Sequence, residues 1–199
     1  MFIIGITGPT GAGKTSALRA LEALNARALD CDKIYHGLLA DDSDLKSELD
    51  ARFPGVLQDG VIDRKTLGEI VFNDGKALSD LNEIAHKYVD YAVSQSIDEW
   101  ALCGGTVMAI EAIALIESGL GKKCDVVVGI TAPVDLRIAR ITERDGLTPA
   151  LVQQRVNAQK ADSFFEENCD YVLQNVYTNP DEFEKKCRGF FEDILRERL

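Results

Sequence analysis

The sequence predicts an α/β protein: a parallel five-stranded sheet flanked by helices, with a helical insertion and a lid. Three observations carry that expectation. Five short segments with strand character, residues 2–7, 27–30, 106–110, 125–130 and 170–174, alternate with stretches of helical period. The first and fourth, FIIGIT and DVVVGI, are near-continuous apolar runs rich in β-branched residues, as strands buried on both faces of a parallel sheet require. The first strand also passes through a glycine-rich loop straight into a helix.

The elements follow in order. Residues 15–25 set Leu18, Leu21 and Leu24 on one stripe, and residues 134–144 bring Leu136, Ile138 and Ile141 close to one face. Strands alternating with helices imply right-handed crossovers. Residues 39–102 break the rhythm: they separate the second strand from the third, read as mostly helical, and turn at Phe53-Pro-Gly55 and near Asn73-Asp-Gly75. That is far more chain than a crossover helix needs, so an inserted helical subdomain is expected. Residues 141–165, polar and charged with Gly146 and Pro149, read as a surface helix pair or a mobile lid. Phe183, Phe190, Phe191 and Leu195 form an apolar stripe on the last helix, expected to be core. The expected division is a core of 1–38, 103–140 and 166–199, an insertion of 39–102 and a lid of 141–165.

Composition bounds the function. The 199 residues include 22 basic and 33 acidic side chains, a formal charge of −11, with 46% hydrophobic residues, as in a globular chain. So acidic a surface argues against nucleic acid or an anionic membrane as partner, and any anionic ligand needs a local positive pocket. The apolar start, Met1 to Gly8, has no basic region before it and does not read as a signal peptide. Cys31, Cys103, Cys124, Cys169 and Cys187 are scattered with no C-x-x-C, and with only His36 and His86 a structural zinc site is not expected. Reduced thiols and a cytoplasmic location are the expectation.

The loop Gly8-Pro-Thr-Gly-Ala-Gly13-Lys14-Thr15 is a complete G-x-x-x-x-G-K-[ST] between a strand and a helix. Its glycines let successive amides face one centre, the helix start adds partial positive charge, Lys14 reaches the β- and γ-phosphates, and the Thr15 hydroxyl is a ligand for Mg²⁺. A nucleoside triphosphate is therefore the expected ligand, gripped by Gly8, Gly11, Ala12, Gly13, Lys14, Thr15 and Ser16. No Asn-Lys-x-Asp guanine-reading motif occurs. A small chain with an insertion after its second strand looks like a nucleotide or metabolite kinase with a P-loop, the insertion gripping the phosphoryl acceptor.

Asp30-Cys-Asp32 closes the second strand, beside the ligand crevice of a parallel sheet. Two residues apart on a strand, both carboxylates would share a side, one to accept a hydrogen bond from an attacking hydroxyl and the other to orient it or hold metal-bound water. The alternative is a helix N-cap and a solvated loop. Glu111 closes the third strand, near the expected magnesium or simply at a solvent edge. Arg137, Arg140 and Arg144 share a helix face and would cover a triphosphate, or pair with Asp135, Glu143 and Asp145 as an ordinary surface. His86, near Tyr88 and Tyr91, reads from its own surroundings as packing.

Several separated segments together resemble the dephospho-coenzyme A kinase family. They are the phosphate loop, Asp30-Cys-Asp-Lys-Ile34 with His36, and Gly60-Val-Ile-Asp-Arg64-Lys-Thr-Leu67-Gly-Glu-Ile-Val-Phe72. His86, Leu115-Ile-Glu117, Arg140-x-x-x-Arg144-Asp145, Ala158-Gln159 and Asp170-x-x-x-x-Asn175 follow in the family's order. The resemblance spans residues 3–175 and implies transfer of the ATP γ-phosphate to the ribose 3′-hydroxyl of dephospho-coenzyme A, with Mg²⁺. It implies Asp32, Lys14 and Arg140 as catalytic residues, Arg144 with the loop on ATP, and Asp30, Arg64 and His86 on the acceptor. Thr15 and Glu111 would hold the metal. ATP and dephospho-coenzyme A would be the partners of a monomer or weak homo-oligomer. The chain departs from the family at His86-Lys87, where His-Pro is usual, at Ile113-Ala-Leu115, and after Asn175, where the usual Asn-x-Gly lacks its glycine. After Gln159 the family's basic residues give way to Lys160-Ala-Asp162-Ser-Phe-Phe165. Fewer cations over the phosphates predict weaker ATP binding or slower transfer. Two other readings stand beside this one: a P-loop kinase of another small metabolite or nucleotide, and a nucleotide-binding regulator without turnover.

Overall fold

The computed structural model describes residues 1–72 and 74–198. In chain order the elements are β1 (Phe2–Thr7), α1 (Lys14–Glu22), β2 (Arg27–Asp30), α2 (Cys31–Asp41), α3 (Ser43–Arg52), β3 (Leu57–Gln58) and β4 (Val61–Ile62). Then follow α4 (Arg64–Phe72), α5 (Gly75–Leu102), β5 (Val107–Glu111), β6 (Val126–Thr131), α6 (Val134–Asp145), α7 (Pro149–Asn157), α8 (Asp162–Asn168), β7 (Tyr171–Gln174) and α9 (Pro180–Arg198). The chain divides into two compact units, residues 1–29 with 100–199, and residues 30–99.

The first unit is built on a sheet of order β2-β5-β1-β6-β7, so the expected five strands and α/β class are observed. β1 pairs in parallel with β5 on one side and β6 on the other, and β6 with β7. β1 is buried from Ile3 onward and β6 along its whole length, which explains their near-continuous apolar sequences. Below the sheet, Leu18 and Leu21 of α1 join Phe183 and Phe191 of α9 in the main core, as the C-terminal stripe foretold.

A repeated device sets the sheet's register. Asp125 accepts the backbone N–H of Ile3 at 2.7 Å, and Asp170 accepts that of Val127 at 2.7 Å. The cysteine before each aspartate fills the space over a glycine two residues further along the same neighbouring strand: Cys124 over Gly5, Cys169 over Gly129. Each Cys-Asp pair thus satisfies a strand-end donor and plugs the gap that a glycine leaves among larger side chains. Burial, helped by the adjacent aspartate, pushes the Cys124 thiol up to about 12 and the Cys169 thiol up to about 11.

Residues 30–99 have their own core, with Leu45, Leu49, Phe53, Val56 and Leu67 inside. The expected helices are there. The β3–β4 hairpin is not foreseen by the mostly helical reading of 39–102; its signal was Asp59-Gly60, whose left-handed φ values of 50° and 78° make a tight two-residue hairpin turn. Asp63 then caps α4, accepting from the Thr66 N–H at 3.2 Å and hydroxyl at 2.6 Å. Of the turn expected near Asn73-Asp-Gly75, Asn73 lies outside the described residues, and Asp74 caps the start of α5 through the Lys76 and Ala77 amides. Glu48 of α3 accepts from both Lys87 and Tyr88 of α5, each at 2.8 Å. Among the described residues no helix is long and apolar enough to cross a membrane.

Candidate active site

The loop between β1 and α1 is shaped by two kinds of constraint. The first is steric. Gly8 has φ 142° and Gly13 φ 108°, and a Cβ on Gly8 would run into the Ile130 carbonyl, one on Gly13 into the Asn175 side-chain amide. The second is a set of donors that grasp the loop's carbonyls from distant chain. Arg137 Nε donates to Thr10 O at 3.0 Å, and Arg140 Nη1 donates to Gly11 O at 2.8 Å and to Ala12 O at 3.4 Å. Asn175 Nδ2 also donates to Ala12 O, at 2.8 Å. Carbonyls held from outside fix the peptide planes of the loop, which leads straight into the positive end of α1 at Lys14.

Lys14 Nζ donates to Gly8 O at 3.0 Å and stands 3.5 Å from Glu111 Oε1. Glu111 ends β5 in register with Ile6 of β1 and is buried, so the carboxylate lies beside the loop rather than at a solvent edge. Burial lowers the pKa of Arg137 and of Arg140, and a guanidinium remains charged regardless. Two cations therefore sit beneath the loop of a protein whose formal charge is −11, the local positive region a triphosphate needs.

The remaining expected residues divide. Thr15 is exposed on the first turn of α1, while Ser16 is buried, its N–H given to Gly13 O at 3.0 Å; the Ala12 N–H reaches Pro9 O at 3.2 Å. Arg140 is spent on Gly11, Ala12 and Tyr177 carbonyls, so its contact is with the loop backbone. Arg144 is not brought to the loop: it is solvent-exposed and paired with Asp145 at 2.7 Å, the ordinary surface arrangement. Asp30 and Asp32 do not share a side of a strand, because the chain is already helical at Cys31. Asp30 is the N-cap of α2, accepting from Lys33 N at 3.0 Å, and Asp32 is exposed in the first turn. In the same unit of residues 30–99, Arg64 is exposed at the head of α4 and His86 is half-buried on α5.

Thr10, Gln159 and Asn175 are parts of the loop's support that the sequence pattern does not reveal, and Arg137 joins them on the loop rather than on the surface. Gln159 accepts from Thr10 N at 3.0 Å and donates to Thr10 Oγ1 at 2.8 Å. The usable signal was the position of Gln159 and Asn175 among the recurring segments. Thr15 and Glu111 offer hard oxygen donors, and among the described residues no group of three metal-ligating side chains could cage an ion. The residues thus suit magnesium carried by a nucleotide, most of whose ligands are phosphate and water.

A strand, a glycine loop with Lys and Thr, a helix, and cations beneath the loop define a P-loop kinase-like protein. The dephospho-CoA kinase family profile matches residues 2–181. A dephospho-CoA kinase of Dehalococcoides mccartyi is 34% identical over 177 residues, 88% of this chain and 89% of that one. A crystal structure from Thermus thermophilus superposes with TM-score 0.81 at 25% identity, covering 100% and 98% of the two chains. The Campylobacter jejuni dephospho-CoA kinase superposes with TM-score 0.69 at 23% identity, covering 99% and 98%, a likeness of fold. The chain belongs to the dephospho-CoA kinase family, whose members are ATP-dependent phosphotransferases.

Proposed function

We propose that the protein transfers the γ-phosphate of ATP to the ribose 3′-hydroxyl of dephospho-coenzyme A. The observation that carries this reading is a complete phosphate loop, braced by Arg137, Arg140 and Asn175, in a chain that the family profile covers from residue 2 to 181.

In this reading the loop from Gly11 to Ser16, with the Lys14 ammonium, holds the β- and γ-phosphates. Arg140 acts through the Gly11 and Ala12 carbonyls and by its charge beneath the loop. The acceptor's 3′-oxygen attacks the γ-phosphorus in line, its proton passes to the Asp32 carboxylate, and ADP leaves with the bridging oxygen. Thr15 and Glu111 are the residues that would hold magnesium, which supplies charge neutralisation across the phosphates. Lys14 moves from Gly8 O to the phosphates as they arrive.

Asp30, Arg64 and His86 belong to the acceptor side, with residues 39–102 as the acceptor-binding insertion and 141–165 as a lid that excludes water. The motif Gly60–Phe72 supports a role for Arg64. Its other marked positions have folding tasks, with Gly60 in the hairpin turn, Asp63 capping α4 and Leu67 in the core, while Arg64 is exposed. The protein acts in the cytoplasm as a monomer or weak homo-oligomer. A mass-resolved assay with ATP, Mg²⁺ and dephospho-coenzyme A tests the reading: a 3′-phosphorylated product is expected, and ADP release indifferent to the acceptor would overturn it.

A further inference from the structure

Three polar groups of Thr10 are engaged, each by a side chain from the C-terminal half of the chain. Its N–H goes to Gln159 Oε1 at 3.0 Å, its hydroxyl takes Gln159 Nε2 at 2.8 Å, and its carbonyl takes Arg137 Nε at 3.0 Å. Arg137 Nη2 closes the ring on the same Gln159 oxygen at 2.5 Å. Arg137 is only 4% exposed. Gln159 lies two residues beyond α7, which packs on α6 through Ile141, Val152 and Val156.

We infer that Gln159 is a positioning residue that fixes the phosphate loop in its nucleotide-binding shape and ties it to the α7 segment. A loop with glycines at 8, 11 and 13 has many accessible shapes. Pinning both the N–H and the carbonyl of Thr10 removes the peptide rotations on either side of it, so the amides beyond are ordered before the nucleotide arrives. A site that needs no ordering on binding keeps more of its interaction energy as affinity. The side chain suits the task because a primary amide is both acceptor and donor. Its oxygen serves the Thr10 amide and Arg137, and its nitrogen serves the Thr10 hydroxyl. It touches no reacting atom. The inference rests on the P-loop's holding a nucleotide and not on which acceptor is phosphorylated.

The experiment is direct titration with ADP and with ATP, no acceptor present, on the full chain and on Gln159→Leu, Gln159→Asn and Gln159→Glu. Leu cannot hydrogen-bond and Asn is one methylene too short, so both are expected to bind nucleotide about tenfold more weakly, the size of one or two lost hydrogen bonds. Glu keeps the accepting oxygen, and the Thr10 hydroxyl can turn to donate to it, so binding within about threefold of the parent is expected. In turnover assays the KM for ATP should rise in the Leu and Asn variants with kcat at saturation less affected. Hydrogen exchange across residues 149–158 should slow on ADP binding in the parent and not in Gln159→Leu. Nucleotide affinities for Leu and Asn within about twofold of the parent, or equal losses in all three variants, would overturn the inference. If Gln159→Leu does not fold, the Asn and Glu pair reads the same contrast. A wrong acceptor would leave every one of these titrations unchanged.

Discussion

The side-chain amide of Asn175 donates to the carbonyl of Ala12 at 2.8 Å, across 163 positions of sequence. Asn175 is 3% exposed, its own N–H goes to Thr131 O at 2.7 Å, and its Oδ1 receives the Tyr177 N–H at 3.2 Å. The end of the last strand thereby becomes part of the phosphate loop. Asn175→Ala is expected to cost about 1–3 kcal/mol of stability, the penalty for stranding buried partners, and to weaken nucleotide binding. Asn175→Asp should cost more, because it sets a carboxylate against the Ala12 carbonyl. Denaturant melts and nucleotide titration check both, and an Asn175→Asp protein as stable as Asn175→Ala would refute the geometry.

Asp32 carries the proposed proton acceptance and forms no part of the loop. Asp32→Asn should cut turnover by about 10²–10⁴, the usual range for a positioned base, with ATP affinity nearly intact. Turnover within about twofold of the parent would remove Asp32 from the chemistry.

The Cys-Asp pairs make a stability prediction. A Cβ on Gly5 would stand 2.8 Å from Cys124 Sγ and 2.7 Å from Leu115 Cδ2. Gly5→Ala should therefore cost about 1–3 kcal/mol through overpacking. Cys124→Ala relieves one of the two collisions, so Gly5→Ala with Cys124→Ala should cost less than the sum of the single variants. Strict additivity in chemical unfolding would mean that the thiol does not fill that space.

The α3–α5 clasp makes stability depend on pH at both ends. Half-burial and the bond to Glu48 push the Tyr88 phenol from 10.0 up to about 12. A raised pKa adds stability that is complete below pH 10 and lost as pH climbs toward 12. The bonds from Lys87 and Tyr88 hold Glu48 below its ordinary 4.5, and that contribution is present above pH 4.5 and lost as pH falls through the depressed value. Subtracting the melting profile of Tyr88→Phe from that of the parent should give a difference that shrinks between pH 10 and 12. A difference flat across that range would show that Tyr88 titrates as an ordinary phenol.

The parts of the fold that were legible have a local cause. β1 and β6 announce themselves because a strand covered on both faces has few polar positions, and the phosphate loop because its glycines, Lys14 and Thr15 must be contiguous. Glu111 is legible as the close of its strand because the apolar run before it stops there. What escaped is long-range or decided by competition. The β3–β4 hairpin hid in four residues around Asp59-Gly60. Asp30 both ends β2 and caps α2, so the helix begins at Cys31 and Asp32 leaves the strand's alternation. Arg144 found Asp145 next to it. The props beneath the loop escaped because a side chain that reaches a backbone carbonyl over a hundred positions away leaves no periodicity. Thr10, Arg137, Gln159 and Asn175 meet only in the folded chain.

The most direct test of the central claim is ADP release coupled to mass analysis of the acceptor, with ATP, Mg²⁺ and dephospho-coenzyme A. Acceptor-dependent ADP formation in step with a product one phosphate heavier, the phosphate on the ribose 3′-oxygen, is the result expected. ADP formation of the same rate without dephospho-coenzyme A, or none with it while nucleotide still binds, would contradict the account and leave only the phosphate loop standing.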